Sequence, residues 1–235
     1  MKKKVLVLTG DYWHPTDSIT PVLGSIFDES KWDMIVTENP KELSAENAPD
    51  LFISFKDVIE NDQIPTPIWC DDKWTATLDI CIKELGMSFM AVHCGLADIP
   101  EEHFITKNIL RAFFVMHPPQ CTVSLEPSDS ELTYGIKPFT FSYPDEHYQI
   151  EIKGETNVIG YSVSPNGRQP AIWHHNYGKG KVIGITPGHS YENLSEPEYL
   201  KLLKRCVEWC VRKLNGSTER DTLRYCHFSE RNEII

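Results

Sequence analysis

Apolar positions along the chain fall into two periods. Residues 3–10, KKVLVLTG, hold a short unbroken apolar run, Val5 to Leu8, and close at Gly10, the texture of a strand covered on both faces. WDMIVTE (32–38), LFISF (51–55) and MSFMAVH (87–93) repeat that texture. Residues 75–86, TATLDICIKELG, instead space Leu78, Ile80, Cys81, Ile82 and Leu85 close to a helical period and stop at Gly86. A second helix is expected over 20–27, after the polar loop DYWHPTDS. Fully apolar runs with helical stretches between them predict parallel strands joined by helical crossovers.

From about Cys121 the texture changes. TVSLEP, YQIEIK, NVIGYSVS and PAIWHHNYGKGKVIGITPG read as strands separated by turn residues, with YGKGK as a hairpin signal. GKGK (178–181) lacks the GxxxxGK[ST] spacing of a phosphate loop and joins two strands, so it is read as a turn. A closing helix is expected from Glu196 to about Leu214, and the polar stretch 215–235 reads as an arm or tail. The expected organisation is one α/β domain over 1–214, with a mostly parallel central sheet and an added β-rich section, followed by that tail.

The bulk numbers narrow the function classes. A chain of 235 residues with 40% apolar and 24% charged residues suits one large globular core. A net charge of -11 disfavours nucleic acid and anionic membrane surfaces, both of which need a basic face. No window approaches the apolar length of a membrane span, and the run after Lys2-Lys3-Lys4 is too short for a signal peptide, so it is read as the first strand. Seven scattered cysteines, an odd number, point to a reducing cytoplasm rather than a disulfide framework. Cys206 and Cys210, four apart on the closing helix, read as apolar packing rather than half a metal site.

Candidate chemistry collects at the ends of the apolar runs. Ligands of open α/β sheets bind beyond the carboxyl ends of parallel strands, and His14, His93 and His189 all follow such runs. The acidic pair Asp145 and Glu146 precedes another strand in YPDEHYQI. His93, His189 and Glu146 are the types for acid/base work near neutral pH; with His14 they also suit a divalent metal such as zinc. Neither HExxH nor a CxxC pair is present, so spacing alone does not announce a metal. Ala91-Val92-His93-Cys94-Gly95 fits the nucleophile elbow G-x-nucleophile-x-G with His93, not Cys94, in the nucleophile slot.

Four motifs in order carry a family resemblance: VLVLTGDYWHPTDS, FMAVHCG, SELTYGIKPFTFSYPDEHY, and QPAIWHHNYGKGKVIGITPGHSYENLSEPEYLKLLKRCVEWC. Over about residues 3–213 the chain resembles the ThuA-like proteins, named for trehalose utilisation. The resemblance implies a flavodoxin-like three-layer α/β sandwich of the class I glutamine amidotransferase type, and a role in the metabolism of sugars or keto-sugars. Cys94 stands where that family commonly has Ser, and His93 stands where the amidotransferases have their cysteine, so glutamine hydrolysis by a thiolate is not expected.

Three readings follow. In the leading one His93 and His189 exchange protons with a small carbohydrate and Glu146 orients one of them. His14 binds substrate or metal, and Trp13, Trp173, His174 and Cys94 add substrate contacts. Aromatic faces stack on sugar C–H surfaces, although Trp173 is equally a core residue, and which of His174 and His175 faces the site stays open. The alternatives are a non-catalytic sugar-binding or regulatory protein, and an amidotransferase-like hydrolase using Cys94. A homo-oligomer is compatible with all three.

Overall fold

The computed structural model of the protein describes residues 2–59 and 67–212. β1 (Lys3–Leu8) sends Val5 and Val7 to one face and Leu6 and Leu8 to the other, and all four are buried, which is why the run shows no polar alternation. α1 (Thr16–Ile26) begins four residues before the expected 20–27 helix, directly after Pro15. β2 (Trp32–Thr37) and β3 (Leu51–Ser54) follow. α2 (Asp72–Lys83) starts ahead of its apolar period because the Asp71 carboxylate caps it, accepting from the Trp74 N–H at 2.8 Å. β4 (Ser88–Val92) then enters the core.

The second half is β-rich, as expected. β5 (Ala112–Met116), β6 (Ser124–Pro127), β7 (Phe139–Thr140), β8 (Gln149–Ile152), β9 (Asn157–Ser164), β10 (Gly167–Tyr177) and β11 (Gly180–Ile185) precede α3 (Tyr191–Leu194) and α4 (Pro197–Val211). YGKGK is the turn between β10 and β11, which pair antiparallel from Tyr177 and Gly180 onward. The tail 215–235, with Cys226, and the expected end of the last helix at Leu214 lie outside the described residues.

One nine-stranded sheet runs β2-β1-β3-β4-β11-β10-β9-β6-β7. The neighbours from β2 to β11 are parallel; from β11 to β7 they are antiparallel. The added β section is thus a continuation of the central sheet, and the sheet is mixed rather than mostly parallel. YQIEIK departs from that pattern: β8 leaves the sheet and pairs with β5 in a small two-stranded ladder.

Helices cover both faces. α1, α3 and α4 pack with Val5, Val7, Ile53, Met90 and Ile183 in one core, and α2 packs with Leu6, Leu8, Phe52 and Phe89 in the other. Each fully buried leucine, such as Leu8, Leu23 or Leu78, contributes about 2 kcal/mol of transfer free energy. Among the described residues no helix is long and apolar enough to cross a membrane. The carboxyl ends of β1, β3, β4 and β11 lie side by side on one rim, and the strand order reverses there, with β2 on one side of β1 and β3 on the other. Such a reversal opens a crevice.

Candidate functional site

Each histidine on that rim is fixed from behind. His14 sits in the loop after β1, and its Nδ1 lies 2.9 Å from Asp11 Oδ1. A carboxylate only accepts, so Nδ1 carries a proton and Nε2 is turned inward. Asp11 is itself clamped by the N–H groups of Trp13, His14 and Asp57 at 2.9, 2.7 and 2.9 Å. Burial pushes the Asp11 carboxyl up, but the His14 imidazole and these N–H donors outweigh it and hold the group below the usual carboxylate range.

His93 occupies the first position after β4 with φ 48°, a left-handed conformation that costs a non-glycine residue about 1 kcal/mol or more. The chain then turns through a 3₁₀ segment, His93–Leu96. A Cβ on Gly95 would stand 2.1 Å from the Ser54 carbonyl oxygen, so only glycine lets this elbow lie against β3. His93 Nδ1 donates to the Thr186 carbonyl at 2.8 Å, which again leaves Nε2 facing inward.

His189 closes the ring of imidazoles. The buried Asp145 carboxylate accepts from the N–H groups of Gly188 and His189 at 2.9 and 3.1 Å and holds the loop after β11. Its neighbour Glu146 enters the cluster, so the acidic pair divides into an anchor and a site residue. His189 Nδ1 lies 3.2 Å from His14 Nε2, 3.3 Å from His93 Nε2 and 3.3 Å from Glu146 Oε1, and His93 Nε2 lies 3.3 Å from Glu146 Oε2. Ligand atoms of all four residues fall within 4.8 Å of one another. His189 Nδ1 thus stands at the centre of three polar partners. Burial pushes Glu146 up, but His189 and His93 overcome it and leave the carboxyl far below its ordinary range. Its hydrogen bond to Glu146 raises His189 against burial.

Three of the four, His14, Glu146 and His189, line a cavity of about 510 Å³, walled also by Trp13, His117, Tyr148 and Phe114 among others, and His93 is buried behind them. Trp13 is 43% exposed at the mouth, beside the more exposed Tyr12, and Tyr148 stacks on His93 at 4.5 Å. A wall of aromatic rings and titratable side chains leaves room for a ligand of sugar size.

Three expected substrate contacts lie elsewhere. Trp173 is fully buried: Gly184 on β11 makes room for the indole, since a Cβ there would stand 2.2 Å from it, and Nε1 donates to the Leu110 carbonyl at 2.9 Å. His174 points to the other face of the sheet, with its ring 4.7 Å from that of Trp209. His175 shares the Trp173 face and uses both nitrogens, on the Ile109 carbonyl and the Thr156 hydroxyl, each at 2.9 Å. Neither histidine of the pair lines the cavity. Cys94 is buried beneath the rim, close to Asp11 and His14, and its thiol donates to the Phe55 carbonyl at 2.7 Å. Burial, with Asp11 and Asp57 nearby, pushes that thiol well above its ordinary pKa, the opposite of what a nucleophilic cysteine needs.

Sequence reasoning missed His117, whose Nε2 lies 3.7 Å from Glu146 Oε2. It follows AFFVM as His93 follows SFMAV, so the same strand-end signal was present. Asp11 was also missed, though an aspartate three residues before His14 is an Asx-turn pattern.

A family model described as ThuA, trehalose utilisation, matches residues 4–210. Among solved structures the chain is similar to a ThuA-like protein from Parabacteroides merdae ATCC 43184, at TM-score 0.69 and 15% identity over 94% of each chain. It is similar to another from Bacteroides uniformis ATCC 8492, at TM-score 0.70 and 15% identity over 92% of this chain and 94% of that one. It also resembles part of Gan42B, a GH42 β-galactosidase from G. stearothermophilus, at TM-score 0.56 and 11% identity, over 88% of this chain and 30% of that one. At such identities the likeness speaks for the fold alone. No curated protein matches the sequence.

Proposed function

The chain belongs to the ThuA family, described by trehalose utilisation, and from that premise we propose an enzyme that acts on a sugar or keto-sugar by His/Glu acid-base chemistry, assisted by a divalent cation. One observation carries the reading: three ring nitrogens and a carboxylate converge within 4.8 Å of one another. Lone pairs crowded in this way favour a cation at their centre.

The donor set fits such an ion. His14 Nε2, His93 Nε2, His189 Nδ1 and the Glu146 carboxylate would hold it, a nitrogen-rich set suited to zinc, and Asp11 and the Thr186 carbonyl orient two of the rings as partners of metal-binding imidazoles do. When bound, the ion supplies a positive centre that polarises a sugar carbonyl or hydroxyl. Where His93 Nε2 and His189 Nδ1 are not engaged by the ion, they exchange protons with the substrate, and Glu146, kept ionised, then orients His189 and stabilises its protonated form. His14 binds substrate or cation. Trp13 stacks on the apolar face of the ring at the mouth. Six cysteines are free among the described residues, in keeping with a reducing cytoplasm. We also read the parallel strands β2-β1-β3-β4-β11 as a flavodoxin-like half.

The test is turnover of disaccharides and 3-keto-glycosides by purified, folded His93→Ala and His189→Ala. Loss of rate is expected, and unchanged rates remove both residues from the mechanism. Elemental analysis showing under about a tenth of an equivalent of metal removes the cation. The exposed Trp13 at the mouth favours a second reading, a sugar-binding protein without turnover. Saturable binding with no rate to lose would select it.

A further inference from the structure

A second cavity, of about 730 Å³, is larger than the crevice of about 510 Å³ and shares none of its lining residues. One wall is the stretch between Asn39 and Glu46, which leaves β2 through a 3₁₀ turn at Pro40–Glu42; the other is Trp69 and the first turns of α2. β2 runs parallel to β1, so this stretch sits at the same rim of the sheet, one strand further out. Trp69 joins the two cavities: its Nε1 donates to the Asp57 carbonyl at 2.6 Å, and Asp57 lines the crevice.

Two indoles line this second cavity, and both are fixed. Trp74 Nε1 donates to the Pro40 carbonyl at 2.8 Å, and the rings of Trp69 and Trp74 meet edge to face, with centroids 4.8 Å apart and planes at 88°. Both N–H groups are engaged by backbone carbonyls, so the indoles offer a ligand only ring surface. A platform held in place beforehand loses little freedom when it is covered. The polar groups around it carry both signs. Lys41 and Lys73 bring ammonium donors and Glu46 a carboxylate. Asp71 caps α2 with Oδ1, which accepts from the Trp74 N–H at 2.8 Å, and keeps its other oxygen.

We propose that this cavity is a second carbohydrate-binding site. It takes a neutral mono- or disaccharide, with a C–H face of the sugar against Trp69 and Trp74 and its hydroxyls on Lys41, Glu46, Lys73 and the second Asp71 oxygen. Two cations and two anions cancel, so the lining does not select an ion. The positive end of α2, which would draw an anion, is already met by Asp71 and Asp72. A hydroxyl both donates and accepts, so a polyhydroxylated carbon ring satisfies ammonium groups, carboxylates and indole faces together; a hydrocarbon or a phosphate leaves part of them unmatched. The site goes beyond the acid-base reading of the histidine cluster and does not depend on turnover there.

The experiment is a ¹H–¹⁵N NMR titration of the full chain with glucose, trehalose, maltose and cellobiose. The indole N–H signals are the reporters, Trp69 and Trp74 for this cavity and Trp13 for the crevice, each assigned by its loss in the Trp→Phe variant. Saturable shifts of the Trp69 and Trp74 signals are expected. Glu46→Gln and Lys73→Met, both at exposed positions, should each weaken that Kd by about tenfold, the loss of one hydrogen bond to a charged group, and leave the Trp13 response unchanged. No shift of Trp69 and Trp74 with any of the four sugars, or an unchanged Kd in both variants, overturns the site. Shifts with AMP and with none of the sugars overturn the carbohydrate class. The two readings fail separately: a response of Trp13 with Trp69 and Trp74 silent removes this site and leaves the proposed function, and the opposite pattern keeps this site and counts against a sugar in the crevice.

Discussion

His93 and His175 are both buried and both donate to a backbone carbonyl, yet their surroundings differ in what remains afterwards. His93 uses Nδ1 on Thr186 and keeps Nε2 for Glu146 and His189. His175 uses Nε2 on Ile109 and Nδ1 on the Thr156 hydroxyl, and keeps nothing. Burial, helped by Arg111, drives His175 down to about 4, whereas Glu146 lifts His189 above its ordinary value. A buried imidazole becomes chemistry only when one nitrogen is left over and a carboxylate stands beside it; with both nitrogens engaged it is a staple.

The contrast can be broken in order of effect. His93→Ala should lower sugar turnover by about 10²–10⁴-fold, while His175→Ala, assayed well below its melting temperature, should stay within about threefold; equal losses would erase the distinction. Asp11→Asn, which touches no substrate, should weaken zinc affinity by about 10–100-fold in chelator competition, because the ring of His14 loses its orienting anion. His175 sets a stability window. Its folded pKa of about 4 lies below the ordinary 6.5, so between those values the unfolded chain binds a proton that the folded chain does not. Stability is therefore full above pH 6.5 and should fall by about 2 kcal/mol as pH drops toward 4, read by urea unfolding; His175→Gln should flatten that slope. The smallest effect concerns Cys94. Iodoacetamide should leave its peptide unmodified in the folded protein over a period that labels the half-buried Cys121, and rapid labelling of Cys94 would revive a thiolate route.

The parallel half was legible because strands buried on both faces advertise themselves, and the elbow because Gly95 and His93 follow such a strand directly. The three rim histidines were found by that logic, and Glu146 by its place before a strand. Trp173 and His174 were misread. Period-two alternation sets Trp173 and His175 on one face and His174 on the other, but which face holds the crevice depends on Gly184 across the ladder and on register shifts between Pro170 and Trp173, neither visible in a single strand. His117 reaches the cavity from the end of β5, whose place is set by its pairing with β8, a product of tertiary packing.

The φ of 48° at position 93 has a further consequence. Glycine suits that backbone geometry better than alanine does, so His93→Gly should be more stable than His93→Ala by up to about 1 kcal/mol, although both lose the imidazole's bond to the Thr186 carbonyl and its contact with Tyr148. A glycine variant that melts above the alanine one would mean that the corner holds its ring under tension, a cost borne by the backbone to aim one nitrogen into the crevice.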